Sequence, residues 1–147
     1  MPGLGPEGEV QAEPQRISRE GTVQYEEFVS KVAQQAGISR AESEKLAAAV
    51  IRTLGERLSG GEAEDLRAQL PEPLKGDLIS TREEAEGFGV EEFARRVAEK
   101  AGISQGQAGA GVVAVLDTVG EAVSPGEFDD VLAQLGREFA ELIDSNS

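Results

Sequence analysis

Apolar residues recur at i, i+3, i+4 and i+7 along this chain, the spacing of helices that each bury one face. The first stripe is Tyr25, Phe28, Val29, Val32 and Ala36, and Gly37 follows it. Glycine there suits a left-handed helix end. Ser39 with Glu42 three residues on reads as a capping box opening a second helix, because serine and glutamate can satisfy each other's backbone N–H groups. That helix runs to about Leu58 and buries Leu46, Ala49, Val50, Thr53 or Leu54, and Leu58. Ser59-Gly60-Gly61-Glu62 reads as another capping box, and a third helix carries the stripe Ala63, Leu66, Leu70. Pro71 and Pro73 interrupt it before Leu74, Leu78 and Ile79 continue the apolar side as a stub.

The pattern then returns sixty-five positions later. Ser59-Gly60-Gly61-Glu62 becomes Ser124-Pro125-Gly126-Glu127, Ala36-Gly37-Ile38-Ser39 becomes Ala101-Gly102-Ile103-Ser104, and Ala68-Gln69-Leu70 becomes Ala133-Gln134-Leu135. Between Glu26–Leu70 and Glu91–Leu135, 21 of 45 aligned positions are identical, so the chain is a duplication. Three helices with one apolar face each are too few to close a core alone, and duplicated units normally bury those faces against each other. The expected fold is all-α: a six-helix bundle from two tandem three-helix repeats, 22–79 and 90–144, related by a pseudo-two-fold in one compact domain. Residues 80–89 form the connection, where Phe88 is expected to plug the edge of the core. Residues 1–21, rich in Pro, Gly, Gln and Glu, read as a disordered acidic tail that buries too little to offset its ordering entropy.

Two departures separate the halves. Pro71 and Pro73 become Gly136 and Glu138, which predicts a last helix running nearly unbroken to about Asp144, with Pro125 at its first position. The middle helix of the second half carries Gly106, Gly109, Gly111 and Gly120. Each interior glycine costs about 1 kcal/mol against alanine. Close approach by the equivalent helix of the first half is the expected offset, and a dimer seam is the alternative.

Composition removes most familiar chemistries. The chain has no cysteine and no histidine, so disulfides, thiol catalysis and imidazole general bases are excluded. Twenty-eight acids against fourteen bases leave a net charge of -14, which repels nucleic acid and anionic membranes and favours a basic partner. No Lys or Arg lies between Lys100 and Arg137, while Asp117, Glu121, Glu127, Asp129 and Asp130 do. No apolar run reaches the roughly 20 residues of a membrane span, and the N-terminus lacks the order of a secretion signal. A cytoplasmic location is the expectation.

The candidate chemical groups are carboxylates: Glu62, Glu64 and Asp65, with their copies Glu127, Asp129 and Asp130. At helix starts they complement the macrodipole and are expected to be exposed. Acid–base work would need one of them desolvated. No EF-hand spacing or six-oxygen set points to a metal, no cofactor is implied, and Ser59-Gly60-Gly61 makes a poor anion nest beside three acids. Ser59 and Ser124 have no base to activate them. Acids at the starts of the third helices also oppose a DNA-reading role.

Glu56-Arg57-Leu58-Ser59-Gly60-Gly61-Glu62-Ala63-Glu64-Asp65-Leu66, followed by Ala68-Gln69-Leu70-Pro71, closely resembles the signature of bacterial domain-of-unknown-function family 2267. Ser124 to Leu135 resembles its partner signature, and the similarity covers about Val23 to Ile143. The resemblance implies a small helical bacterial protein and brings no catalytic residue, substrate or cofactor. The leading expectation is a non-enzymatic, acidic helical module for protein–protein interaction, regulatory or stress-related. Its docking residues would be Glu62, Glu64, Asp65, Glu127, Asp129 and Asp130. The alternatives are a ligand-binding protein or carboxylate-based enzyme with a cavity between the repeats, and a structural homodimer.

Overall fold

A computed structural model describes residues 16–80 and 86–146, with side chains at 24–80 and 86–145. Those residues form eight helices and no strand. They are α1 Arg16–Ala36, α2 Arg40–Arg57, α3 Gly60–Gln69, α4 Glu72–Lys75, α5 Val90–Ala101, α6 Gln105–Ala122, α7 Pro125–Leu135 and α8 Arg137–Asn146.

The first two helices of each half end and begin as their residues require. Gly37 and Gly102 take φ of 68° and 70°, a conformation nearly free of cost only for glycine, and each N–H returns to the carbonyl four residues back. Ser39 and Ser104 then cap α2 and α6 in complete capping boxes with Glu42 and Gln107. Thr53 and Thr118, buried at matching positions, return their hydroxyls to Ala49 O at 2.8 Å and Ala114 O at 2.7 Å.

The two helical hairpins, α1–α2 and α5–α6, interlock. Helix α1 packs on α6 about as extensively as on α2, and α2 packs on α5. One hydrophobic cluster takes Phe28, Leu46, Ile51, Leu54, Leu66 and Leu74 from the first half and Phe93, Val115, Leu116, Val131 and Phe139 from the second. Helices α3 and α7 pack on each other.

Several expectations are corrected. Residues 16–21, expected in a disordered tail, lie in α1; no proline follows Pro14 before Pro71, so nothing in that stretch forces an end to the helix. The rest of the tail, 1–15, lies outside the described residues, as do 81–85 of the connection. The last helix is not continuous: Gly136 adopts φ 98° and ends α7 at Leu135, so glycine performs the break that Pro71 performs in the first half. Helix α4 is the stub expected after Pro71, and with α8 also separate the described residues form eight helices rather than a six-helix bundle. Ile79, expected on the apolar side, is 61% exposed.

The glycines of α6 divide. A Cβ on Gly111 would meet the Leu46 side chain of α2 at 2.6 Å, and one on Gly120 would meet the Phe128 ring at 2.9 Å. Gly106 and Gly109 face nothing within 4 Å, so close approach does not account for them. The tightest backbone approach is at Gly55 of α2, where a Cβ would run into the Ile79 carbonyl.

Candidate functional site

The six acids lie at the starts of α3 and α7, where Ser59 and Ser124 are the N-caps. Each serine Oγ accepts from the backbone N–H three residues on, at 3.2 Å from Glu62 N and 3.3 Å from Glu127 N. The capping box expected at Ser59–Glu62 is only half formed. A glutamine of the opposite half takes the glutamate's place: Ser59 N donates to Gln134 Oε1 at 2.9 Å, and Ser124 N donates to Gln69 Oε1 at 2.7 Å. Gln134 Nε2 donates in turn to Ser59 Oγ at 2.9 Å. Each serine thus receives its cap partner from the other helix.

Relieved of that task, the two glutamates turn toward each other. Glu127 is only 9% exposed and Glu62 is half-buried, which corrects the expectation that both would be exposed dipole complements. Each keeps an Oε2 buried without a hydrogen-bond partner among the described residues, and the Glu127 carboxyl is near enough to act on that of Glu62. Two carboxyl groups can bond to each other only while one of them holds a proton. Burial, then hydrogen bonding to Glu127, then the charges of Glu127, Asp130 and Asp65 push the Glu62 carboxyl up to about 8. The desolvated charged form is penalised, and no cation among the described residues compensates it.

The structure therefore splits the predicted set. Glu62 and Glu127 are brought together, with Asp65 and Asp130 near enough to act on them. Glu64 and Asp129 stay on the exposed side of their helices, and Asp65 and Asp130 are exposed as well. None of these four has an ion-pair or hydrogen-bond partner among the described residues. Other acids do have partners. Lys31 of α1 pairs with Glu121 at 2.7 Å, Arg52 with Asp77 at 3.0 Å, and Arg96 with Glu56, Glu86 and Glu92. Among the described residues no group of three or more Asp or Glu is placed to hold a metal ion.

Arg57, just before this site, was not expected to be buried. It is 7% exposed and donates Nε to Phe88 O at 2.7 Å and Nη2 to Leu135 O at 2.8 Å. Its guanidinium also lies 5.9 Å from the Phe88 ring and 5.7 Å from that of Phe139, and burial lowers its pKa. The second half has Ala122 at this position, so the duplication offered no signal for it. The cross-caps did leave one, since Gln69 and Gln134 are the same polar residue in both copies.

A separate cavity of about 400 Å³ opens at the far ends of α2 and α6. Ala36, Gly37, Ile38 and Glu42 line it together with their counterparts Ala101, Gly102, Ile103 and Gln107. Its carboxylate, Glu42, is held below its usual value by the Ser39 N–H.

No curated protein matches the chain. The model of an uncharacterized conserved protein family, DUF2267, matches residues 25–142, and the chain belongs to that family.

Proposed function

We propose that the chain is a non-enzymatic acidic helical module, two repeats related by a pseudo-two-fold, that docks a protein with a basic surface. The observation that carries this reading is the contrast among its acids. Glu64, Asp65, Asp129 and Asp130 are exposed together at the starts of two adjacent helices without a cation among the described residues, whereas Glu121, Glu44, Asp77 and Glu92 are matched by Lys31, Arg40, Arg52 and Arg96. An unmatched group of like charges on packed helices costs self-repulsion that a basic partner relieves. Glu62 and Glu127 are not part of this docking set, because they face each other. The test is a pull-down comparing the native chain with a variant carrying Glu64→Gln, Asp65→Asn, Asp129→Asn and Asp130→Asn. A basic partner held by the native chain, released by moderate salt and lost by the variant is the expected result. Equal retention by both proteins overturns the reading.

A small-ligand role is the second reading, favoured by the cavity whose walls come from corresponding residues of both halves. It gives little support to a carboxylate enzyme, because Glu42 is tied to its capping serine and Glu62 and Glu127 do not line that space. Saturable ligand protection of Ile38 and Ile103 amide signals would support this role over docking.

A further inference from the structure

Glu62 and Glu127 occupy the same position in their helices, three residues after the capping serine, and both are released from capping by the glutamines of the opposite helix. The Oε2 atoms of both are buried, and while both carboxyls are ionised neither has a donor among the described residues. Among the described residues, the surrounding helices offer the pair no cation. On α3 and α7 the charges acting on Glu62 are Asp65 and Asp130, and Glu64, Arg67 and Asp129 are exposed. Arg57 of α2 is committed to Phe88 O and Leu135 O, and Glu56 pairs with Arg96 and Lys100. Lys75 of α4 pairs with Glu72. Asp117 and Glu121 of α6 are held by Gln35 and Lys31 of α1. On α8, Glu138 accepts from Val90 N, and Arg137, Glu141 and Asp144 are exposed.

Two ionised carboxylates facing each other across a seam shielded from water repel, whereas a carboxylate and a carboxylic acid attract through a strong O–H···O bond. We propose that Glu62 and Glu127 form a proton-operated latch. One proton shared between them closes α3 on α7, and its loss to solvent, which takes the pair from one negative charge to two, releases the seam. Release breaks both cross-caps and uncovers Ala63, Leu66 and Val131, which are buried in the closed state. The latch is a property of the chain alone and does not depend on partner docking.

With Glu62 pushed up to about 8, the proton is held at neutral pH. The closed form binds one proton more than the open form between the ordinary carboxylate pKa and that value. The opening constant should therefore rise about tenfold per pH unit between roughly pH 5 and 8 and level off above.

Amide hydrogen exchange of the full chain across pH 5 to 9, corrected for intrinsic rates, reads this directly. Protection in α3 and α7 should fall with that slope, while α5 and α6 stay unchanged. In Glu62→Gln or Glu127→Gln the amide N–H donates to the remaining carboxylate at every pH, so the slope should vanish. Carboxyl carbon NMR of the native chain supplies a second reading that needs no variant. One glutamate titrating far above the ordinary carboxylate range supports the latch. A flat native profile, a slope retained in both variants, or both glutamates titrating at ordinary values overturns it.

Discussion

Arg57 joins three parts of the molecule that are distant in sequence. It extends from the end of α2 to the carbonyl of Phe88 in the connection and to that of Leu135 at the end of α7, where a cation also complements the negative end of the helix dipole. Removing it leaves two carbonyls short of a donor, so Arg57→Ala should cost about 3 kcal/mol in urea unfolding. Arg57→Lys should recover only part, because one ammonium cannot reproduce the planar fork. Gly55 is constrained differently: the Ile79 carbonyl occupies the space a Cβ would need. Gly55→Ala should destabilise by about 1–3 kcal/mol, the usual cost of overpacking. Neither residue was legible as structural in the sequence. An arginine at a helix end reads as a solvated cap, and a helical glycine does not show which of its sides is occupied.

At the scale of elements, the capping box expected at Ser39 and Glu42 formed, and α6 carries its equivalent in Ser104 and Gln107, since serine and its partner lie three positions apart on one chain. The starts of α3 and α7 have the same Ser-x-x-Glu spacing and do not complete the box. Packing α3 against α7 puts a glutamine beside each serine, and that donor–acceptor pair replaces the local one. Gln69→Ala and Gln134→Ala should each cost about 1 kcal/mol, and hydrogen exchange should show the loss at the start of the opposite helix. The glycines of α6 provide the converse test. Gly109 faces open space, so Gly109→Ala should raise stability by up to about 1 kcal/mol, whereas Gly111→Ala must displace Leu46 and should lower it. Both changes are measurable by thermal unfolding.

For the whole molecule, the charge distribution sets a pH dependence of two opposing signs. Glu62 has a folded pKa of about 8 against an ordinary 4.5. The folded chain therefore holds an extra proton between those values, and this contribution to stability falls as pH rises through that window. Glu92, lowered to about 2 by its bonds to Arg95 and Arg96, and Glu42, lowered by Ser39 N–H, act oppositely. Their contributions are present above 4.5 and lost as the pH falls through their folded values. Thermal unfolding should accordingly be most resistant near pH 5 and decline on both sides, and Glu62→Gln should remove the alkaline decline alone. The sequence by itself determined the helical class, the glycine turns after α1 and α5 and the serine caps, because each depends on residues within a few positions of one another. Tertiary structure decided which acids face water and which face each other. It also decided where Arg57 reaches and which glycines are crowded, because all of these depend on neighbours supplied by another part of the chain.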